Sequence, residues 1–436
     1  MSTKDKVDDD VPRVDGRSLT LTKFLSEYAH RPFVMTNATS EWGGIKGGGA
    51  DPFGSVLRNM FPDDPVVPIT HGSASYVSTE TSRVKLSEFL SKYRSAYLKD
   101  WHVHPLNGPN ERIYVTPKQF RGPSMDWLNL YCSTHPDGKE GFKFLYAGRA
   151  NTFTPMHHDV LCSFSWSANI VGTKKWILFD PEQSKLLFDR HNRDVIPDIT
   201  KLCPSKYPNA HRAKPIHCVQ QAGEVMYVPS GYYHQVLNLT DCISVNHNGL
   251  QSENAFAAWR FLRKEYVDSK HAIEHLESTY ESVSAFESEI QRVMRVDCGF
   301  DVSKWIDMLR VVASRCSIVF TKRLEEEIQL YNPKITHVSD LARISGLLTQ
   351  KYPKCTNARA VCYEVLVRQR AFQNMPVIFF SKSRVSNNEE FLPPEYVSII
   401  SFIIIYSHSL THIQQLETKT IKFLAIEGQR LWTLVS

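Results

Sequence analysis

Two short segments, TPMHHDV at residues 154–160 and PSGYYHQVLNL at residues 229–239, constrain the fold of this chain most strongly. The first carries His157 and Asp159 two positions apart, and the second carries His234. Alternate residues of a β-strand share a face, so one strand can present both His157 and Asp159 to one metal ion. On a helix the second ligand would come three or four positions later. Two histidines and a carboxylate are the ligands of a facial-triad Fe(II) site, which is therefore predicted at a β-barrel mouth.

The surroundings of these segments support this interpretation. By itself, His-x-Asp is a weak signal in a chain with 17 histidines, and a polar strand end would also explain it. However, residues 169–179 (NIVGTKKWILF) predict a turn followed by an apolar strand, and residues 223–231 (GEVMYVPSG) predict a strand that runs into a Pro/Gly turn. Each candidate ligand thus lies beside a turn at a strand edge, where side chains converge at a barrel mouth.

Three segments carry a family resemblance: TPMHHD (154–159), GTKKWILFDP (172–181) and GEVMYVPSGYYHQVLNLTDCISVNHN (223–248). Together they resemble the jumonji-C class of Fe(II)- and 2-oxoglutarate-dependent oxygenases, over about residues 125–260. The resemblance is strongest to the small hydroxylase branch of that class. It implies a mostly β core, a double-stranded β-helix (jelly-roll or cupin-like) barrel, with flanking N-terminal α/β elements and a C-terminal helical region.

The resemblance implies roles for the three candidate ligands and for two residues near them. His157, Asp159 and His234 would bind Fe(II), with 2-oxoglutarate and O2 as cosubstrates. Lys174 matches the lysine that binds the far carboxylate of 2-oxoglutarate, and Thr154 matches the residue that supports the same carboxylate. A buried amine without a partner would be costly, which also favours an anionic ligand beside Lys174.

Other positions in the resemblance are less regular. Strand alternation lets only one of Lys174 and Lys175 point inward, and the family pattern selects Lys174. Asn246 and Asn248 occupy positions whose side chains face the cosubstrate in relatives, although threonine is common at the first of these positions. Ser167 departs from the pattern, because some relatives carry an asparagine there that contacts 2-oxoglutarate.

Composition limits the remaining function classes. A net charge of +5 over 436 residues predicts mild attraction to acidic partners and no direct nucleic-acid binding. The nine cysteines form no C-x-x-C pair and are odd in number, which favours a reduced intracellular protein over a disulfide framework or a structural zinc site. The apolar run 396–406 is too short for the ~20 residues of a membrane span, so no membrane association is expected.

The sequence divides into five predicted parts: a disordered leader (1–16), an N-terminal α/β flank of the barrel (17–124), the jumonji-C barrel domain (125–260), a C-terminal helical region (261–381) and a divergent tail of unknown role (382–436). In the flank, Thr22 is a candidate helix N-cap, and His102 and His104 are interpreted as structural histidines. The alternating segment 142–146 is expected to pair with the His-x-Asp strand.

The resulting functional prediction is an Fe(II)- and 2-oxoglutarate-dependent protein hydroxylase that acts on lysine, with a translation termination factor or a similar protein as the substrate implied by the resemblance. Three alternatives stay open: an Nε-methyl-lysine demethylase of the histone type, a catalytically silent jumonji-C binding scaffold, and a jelly-roll metalloprotein without 2-oxoglutarate. A cytoplasmic or also nuclear location is expected, and the C-terminal helices offer a route to an oligomer.

Overall fold

β-Strands form the centre of this computed structural model, which describes residues 10–40, 42, 51–71, 81–102, 114–122, 125–134, 141–309 and 311–312. The strands are β1 (Arg13–Asp15), β2 (Phe33–Thr36), β3 (Val66–His71), β4 (Thr81–Lys85), β5 (Ala96–His102), β6 (Lys143–Gly148), β7 (Phe153–His157), β8 (Phe164–Val171), β9 (Lys174–Phe179), β10 (Ile216–Gln220), β11 (Val225–Val228), β12 (Tyr233–Asn238) and β13 (Cys242–Gly249).

Helices are interspersed among the first six strands and follow the last strand. They are α1 (Leu21–Lys23), which continues as a π-helical turn over Phe24–Tyr28, α2 (Pro52–Met60), α3 (Leu86–Lys92), α4 (Trp127–Thr134), α5 (Ser252–Ile273) and α6 (Val283–Cys298). Short 3-10 turns cover Lys118–Phe120, Val160–Cys162, Pro181–Leu187, Ala210–Arg212 and Glu274–Thr279. None of the helices within the described ranges is both long and apolar enough to cross a membrane.

The strands assemble into two sheets. The larger has the order β1-β2-β11-β8-β13-β6-β5-β3-β4, and the smaller has the order β10-β9-β12-β7. Strands β7 to β13 alternate between the sheets along much of the chain, as in a jelly roll. The predicted cupin-like barrel is therefore confirmed, and the N-terminal flank extends its larger sheet at both edges.

The two sheets face each other across a shared apolar layer at one end of the barrel. This layer contains Val11, Val34, Met226 and Val228 beside the larger sheet, and Trp176, Leu178, Cys218, Tyr232 and Val236 beside the smaller sheet. The outer face of the larger sheet packs against the N-terminal helices, and the outer face of the smaller sheet packs against the 187–213 region. These outer layers contain more buried apolar residues than the layer between the sheets.

The alternation along β9 decides which lysine points into the barrel. Trp176 belongs to the layer between the sheets, whereas Ile177 and Phe179 belong to the outer layer. Lys174 has the same parity as Trp176 and is buried, whereas Lys175 lies on the opposite face and is partly exposed. The strand therefore directs Lys174 inward, as its sequence pattern predicts.

Residues 10–16 are ordered, so the prediction of a disordered leader is wrong for this part. Strand β1 pairs in parallel with β2, and Val11 is buried between the sheets. The charged side chain of Arg13 also forms contacts within the protein. It donates a hydrogen bond to the Val219 carbonyl and forms an ion pair with Glu224. Residues 1–9 of the predicted leader lie outside the described residues.

Three further local predictions are corrected by the structure. The N-cap of α1 is Thr20 and not Thr22, since the Thr20 hydroxyl accepts a hydrogen bond from the Lys23 amide. Strand β6, which contains residues 143–146, pairs with β13 and β5 and not with the His-x-Asp strand β7. The predicted boundary at residue 260 falls inside α5. Three parts of the predictions lie outside the described residues: His104, residues 313–381 of the predicted helical region, and the tail 382–436.

Candidate metal centre and its cavity

Three side chains from two strand ends converge at the mouth of the barrel. Strand β7 ends at His157, Asp159 follows just after it, and His234 lies at the start of β12. One ligand atom from each residue lies within 4.8 Å of those from the other two, and the part of the chain that the structure describes contains no second such group. Asp159 lies two residues beyond the strand end, where its extended backbone leads into the 3-10 turn Val160–Cys162.

A bulge in the β7–β12 ladder aligns two cavity residues. His234 pairs with His157, whereas Val236 pairs with Thr154, so β7 accommodates one extra residue between the two pairs. Cross-strand partners share a face, which means that His157 and Thr154 both face the cavity although they lie three positions apart. Met156, between them, packs in the outer apolar layer.

Backbone carbonyls orient both histidine rings. Nδ1 of His157 lies 2.7 Å from the carbonyl oxygen of Pro155, and Nδ1 of His234 lies 3.2 Å from that of Tyr232. A carbonyl can only accept, so each Nδ1 carries the proton and each Nε2 keeps a lone pair for a metal. Burial, and then the nearby charge of His234, lower the pKa of His157 to about 4, which keeps this imidazole neutral.

Asn248 holds the carboxylate of Asp159 in place. Its Nδ2 donates to Oδ1 of Asp159 at 2.9 Å and to the hydroxyl of Ser163 at 3.1 Å. The backbone of Asn248 is fixed in turn, because Asn129 of α4 donates to its carbonyl oxygen at 2.9 Å. The second carboxylate oxygen, Oδ2 of Asp159, is buried without a hydrogen-bond partner among the described residues. An orphaned carboxylate oxygen beside two imidazole lone pairs fits a divalent cation such as Fe(II).

The two loops that carry the ligands are tied to each other. Leu161 and Cys162 adopt left-handed backbone conformations, with φ of 56° and 52°, just after Asp159. Such conformations cost of order 1–3 kcal/mol each in residues other than glycine and persist only where the surroundings hold them. Here Leu161 is fully buried, and the Ser230 hydroxyl donates to the Cys162 carbonyl. This contact joins the Asp159 turn to the turn that precedes His234.

Lys174 lies inside the barrel on the same small sheet as the histidines. It is 3% exposed and pairs across the ladder with Asn238. Burial lowers the pKa of Lys174 to about 8, because the charged amine is removed from water. A buried ammonium gains most from an anionic ligand, and this residue is therefore placed to bind a carboxylate.

The barrel interior between the sheets contains several polar atoms that lack protein partners. Within the described residues, Oδ1 of Asn238, Oγ of Ser244 and Oδ1 of Asn169 are buried and unpaired. Thr154 is buried nearby, and Tyr97 of β5 lies close to its side chain. Because native interiors pair nearly all of their buried polar groups, these atoms mark a space for a small polar ligand such as 2-oxoglutarate.

The remaining candidate residues occupy different places. Oδ1 of Asn246 accepts a hydrogen bond from Ser167 at 3.0 Å, so the serine that departs from the family pattern engages an asparagine on the neighbouring strand. Asn248, which is predicted to face the cosubstrate, donates a hydrogen bond to the metal ligand Asp159. His102 lies away from the ligand group, where its Nδ1 donates to the Gly141 carbonyl and its ring packs on Phe144. That environment agrees with a structural histidine.

Sequence reasoning missed Tyr97 and Asn238. Tyr97 belongs to β5, far upstream in the chain, and reaches the cavity only because β5 pairs with β6. Asn238 could have been predicted from the pairing of β12 with β9, which places it opposite Lys174. No motif marks either residue.

Comparison with known proteins agrees with this geometry. Residues 22–248 match the family model of the cupin-like domain. The human 2-oxoglutarate and iron-dependent oxygenase JMJD4 is 32% identical over 318 residues, which cover 68% of this chain and 73% of that protein. Its chicken (Gallus gallus) counterpart is 30% identical over 360 residues, 77% of this chain and 81% of that protein. The arginine-specific demethylase JMJ20 of Arabidopsis thaliana is 29% identical over 320 residues, 67% of this chain and 68% of that protein.

Replacement of Asn248 by alanine should weaken metal binding without abolishing it. The variant loses the donor that orients Asp159, and loss of such an orienting contact typically costs about 10- to 100-fold in metal affinity. Asp159→Ala should remove measurable binding. Titration of the full-length protein with Mn(II), followed by electron paramagnetic resonance, measures both effects. Asn209→Ala, at an exposed site, is the control, and unchanged Mn(II) affinity in Asn248→Ala would contradict the assigned role.

Proposed function

This chain belongs to the cupin-like, iron- and 2-oxoglutarate-dependent oxygenases related to JMJD4, and on that premise we propose that it hydroxylates a lysine side chain of a protein substrate. A translation termination factor, or a protein like it, is the proposed substrate. The convergence of His157, Asp159 and His234 beside an inward-facing Lys174 is the observation that carries the oxygenase chemistry. The preference for lysine is supported by the resemblance to the small hydroxylase branch.

The residues of the chain have distinct tasks in this reaction. When bound, Fe(II) and 2-oxoglutarate supply the oxidising power that inserts one atom of O2 into a C–H bond, while 2-oxoglutarate is decarboxylated to succinate and CO2. His157, Asp159 and His234 would hold the metal on one face and leave its other positions open. Lys174 would bind the far carboxylate of the cosubstrate, and the buried Thr154 would support it.

A catalytically silent scaffold is the weaker interpretation. A scaffold has no need for the buried Lys174 or for the unpaired interior atoms, because both destabilise a barrel that binds nothing. The same argument disfavours a jelly-roll metalloprotein that lacks a cosubstrate.

Demethylation is the second candidate function. The relative JMJ20 is named an arginine-specific demethylase, and oxidation of an N-methyl group uses the same metal and cosubstrate. The target would then be a methylated arginine or lysine rather than an unmodified lysine. Localisation to the cytoplasm, and also the nucleus, is proposed for either substrate class.

Mass spectrometry separates the two functions. The full chain is incubated with Fe(II), 2-oxoglutarate, ascorbate and candidate proteins, including a translation termination factor, with His234→Ala as the inactive control. We expect a gain of one oxygen atom on a lysine. Loss of a methyl group from a premethylated substrate would instead assign demethylation, and product formation by His234→Ala would contradict the metal site itself.

Lys174→Ala should weaken the binding of 2-oxoglutarate far more than the binding of the metal. The variant loses a charge-assisted hydrogen bond worth about 1.5–3 kcal/mol, which corresponds to roughly a 10- to 100-fold loss of affinity. Lys175→Ala, its neighbour on the opposite face of β9, is the matched control and should behave like wild type. The KM for 2-oxoglutarate in uncoupled turnover measures this. If only Lys175→Ala lost affinity for 2-oxoglutarate, Lys175 and not Lys174 would point into the barrel.

The affinity for 2-oxoglutarate should fall as the pH rises through about 8. The amine of Lys174 is protonated below its pKa of about 8 and neutral above it, so the charge that attracts the cosubstrate is lost on the alkaline side. The loss should approach about tenfold per pH unit. Lys174→Arg should show a flat profile over pH 7–9, because a guanidinium stays charged. Equal slopes in both proteins would show that another group titrates.

A further inference from the structure

Strand β5 departs from regular pairing where it passes the cavity. Its register with β6 shifts between Leu98 and Trp101, and Asp100, within this bulge, has a φ of +54°. Bulges re-aim side chains, and a left-handed aspartate is uncommon in a strand. Leu98 packs in the outer apolar layer, so Tyr97, one position earlier on the strand, faces the cavity. The bulge thus follows directly after a residue of the cavity wall.

Tyr146 connects the bulge to the cavity. It pairs with Ser244 on the cavity-facing side of β6, and its hydroxyl donates to Oδ1 of Asp100 at 2.5 Å. Burial and the charge of Asp100 raise the pKa of Tyr146, and the charge of Asp159 adds to the rise. Tyr146 therefore links Asp100 to the cavity-facing side of β6.

Asp100 remains open to a cation from outside. Its side chain is 57% exposed, and Tyr146 occupies only Oδ1. Lys99 lies 3.6 Å from Oδ2, but an ion pair this exposed to solvent is weak. A cationic side chain that enters the mouth can replace Lys99 as the partner of Oδ2.

We propose that Asp100, oriented by Tyr146, is the specificity-determining residue that receives the positively charged end of the substrate side chain. An ε-ammonium bound at Oδ2 would leave the aliphatic stem of the side chain to reach toward the metal. An uncharged aliphatic side chain of the same length would lack this contact. The inference rests on the proposed function, because it assigns a cationic side chain to the same cavity, but a guanidinium would satisfy it as well.

Two peptides test the proposal without turnover. Ac-Ala-Ala-Lys-Ala-Ala-NH2 and its norleucine counterpart are titrated into the full-length protein loaded with Mn(II) and 2-oxoglutarate. Broadening of the side-chain proton resonances of the peptide by Mn(II) reports both affinity and proximity to the metal. We expect wild-type protein to bind the lysine peptide more tightly, by about two- to fivefold.

Three variants give different expected results. Asp100→Asn should remove the preference and leave norleucine binding unchanged, whereas Lys99→Ala should strengthen lysine binding by roughly twofold, because it removes the competing ammonium. Asp194→Asn is the matched control, since Asp194 is 63% exposed and pairs with Lys206 at 3.1 Å. It should retain the wild-type preference.

The outcomes also separate this inference from the proposed function. No lysine preference in wild-type protein, or an unchanged preference in Asp100→Asn, overturns the role of Asp100. An equal loss of affinity for both peptides in Asp100→Asn also overturns it, because the residue would then stabilise the fold and not recognise the ammonium group. A preference that depends on Asp100, found in a protein that inserts no oxygen into lysine, keeps the cation site and rejects lysyl hydroxylation.

Discussion

The pairing of β12 with both β7 and β9 is the constraint on which the site depends. One ladder sets His234 opposite His157, and the other sets Asn238 opposite Lys174. The two histidine ligands and the anion-binding amine are therefore placed by the hydrogen bonds of a single strand. A shift of β12 by one residue would turn all of its cavity side chains outward at once.

The polar interior is sustained by apolar layers elsewhere. The outer faces of both sheets pack against helices and loops through large buried side chains, such as Trp166 on one side and Phe179 on the other. These layers allow the space between the sheets to keep a buried amine and unpaired polar atoms, which on their own would destabilise a barrel. The division explains why the cavity can be chemically active while the fold remains stable.

The sequence allowed the ligands to be predicted, because His-x-Asp and the distal histidine lie beside strong turn signals. Strand alternation and the family pattern also selected Lys174. The bulge in β7 was not predictable, since nothing in TPMHHDV marks an extra residue. Asp159 lies just beyond the strand end, at the start of a 3-10 turn. The contributions of Tyr97 and Asp100 depend on the pairing of β5 with β6, a long-range contact without a local signal. For the same reason, the partner of β6 was wrongly predicted.

Residues 10–15 have a consequence for self-association. Asp10 exchanges hydrogen bonds with His217 on β10, the edge of the smaller sheet, while β1 forms the edge of the larger sheet. Arg13 adds a bond from β1 to the Val219 carbonyl. The same short segment thus occupies both open edges along one side of the barrel. Unpaired edges are templates for strand addition by other chains. Detachment of this segment would expose β2 and β10 as sheet edges, together with the apolar layer around Val11.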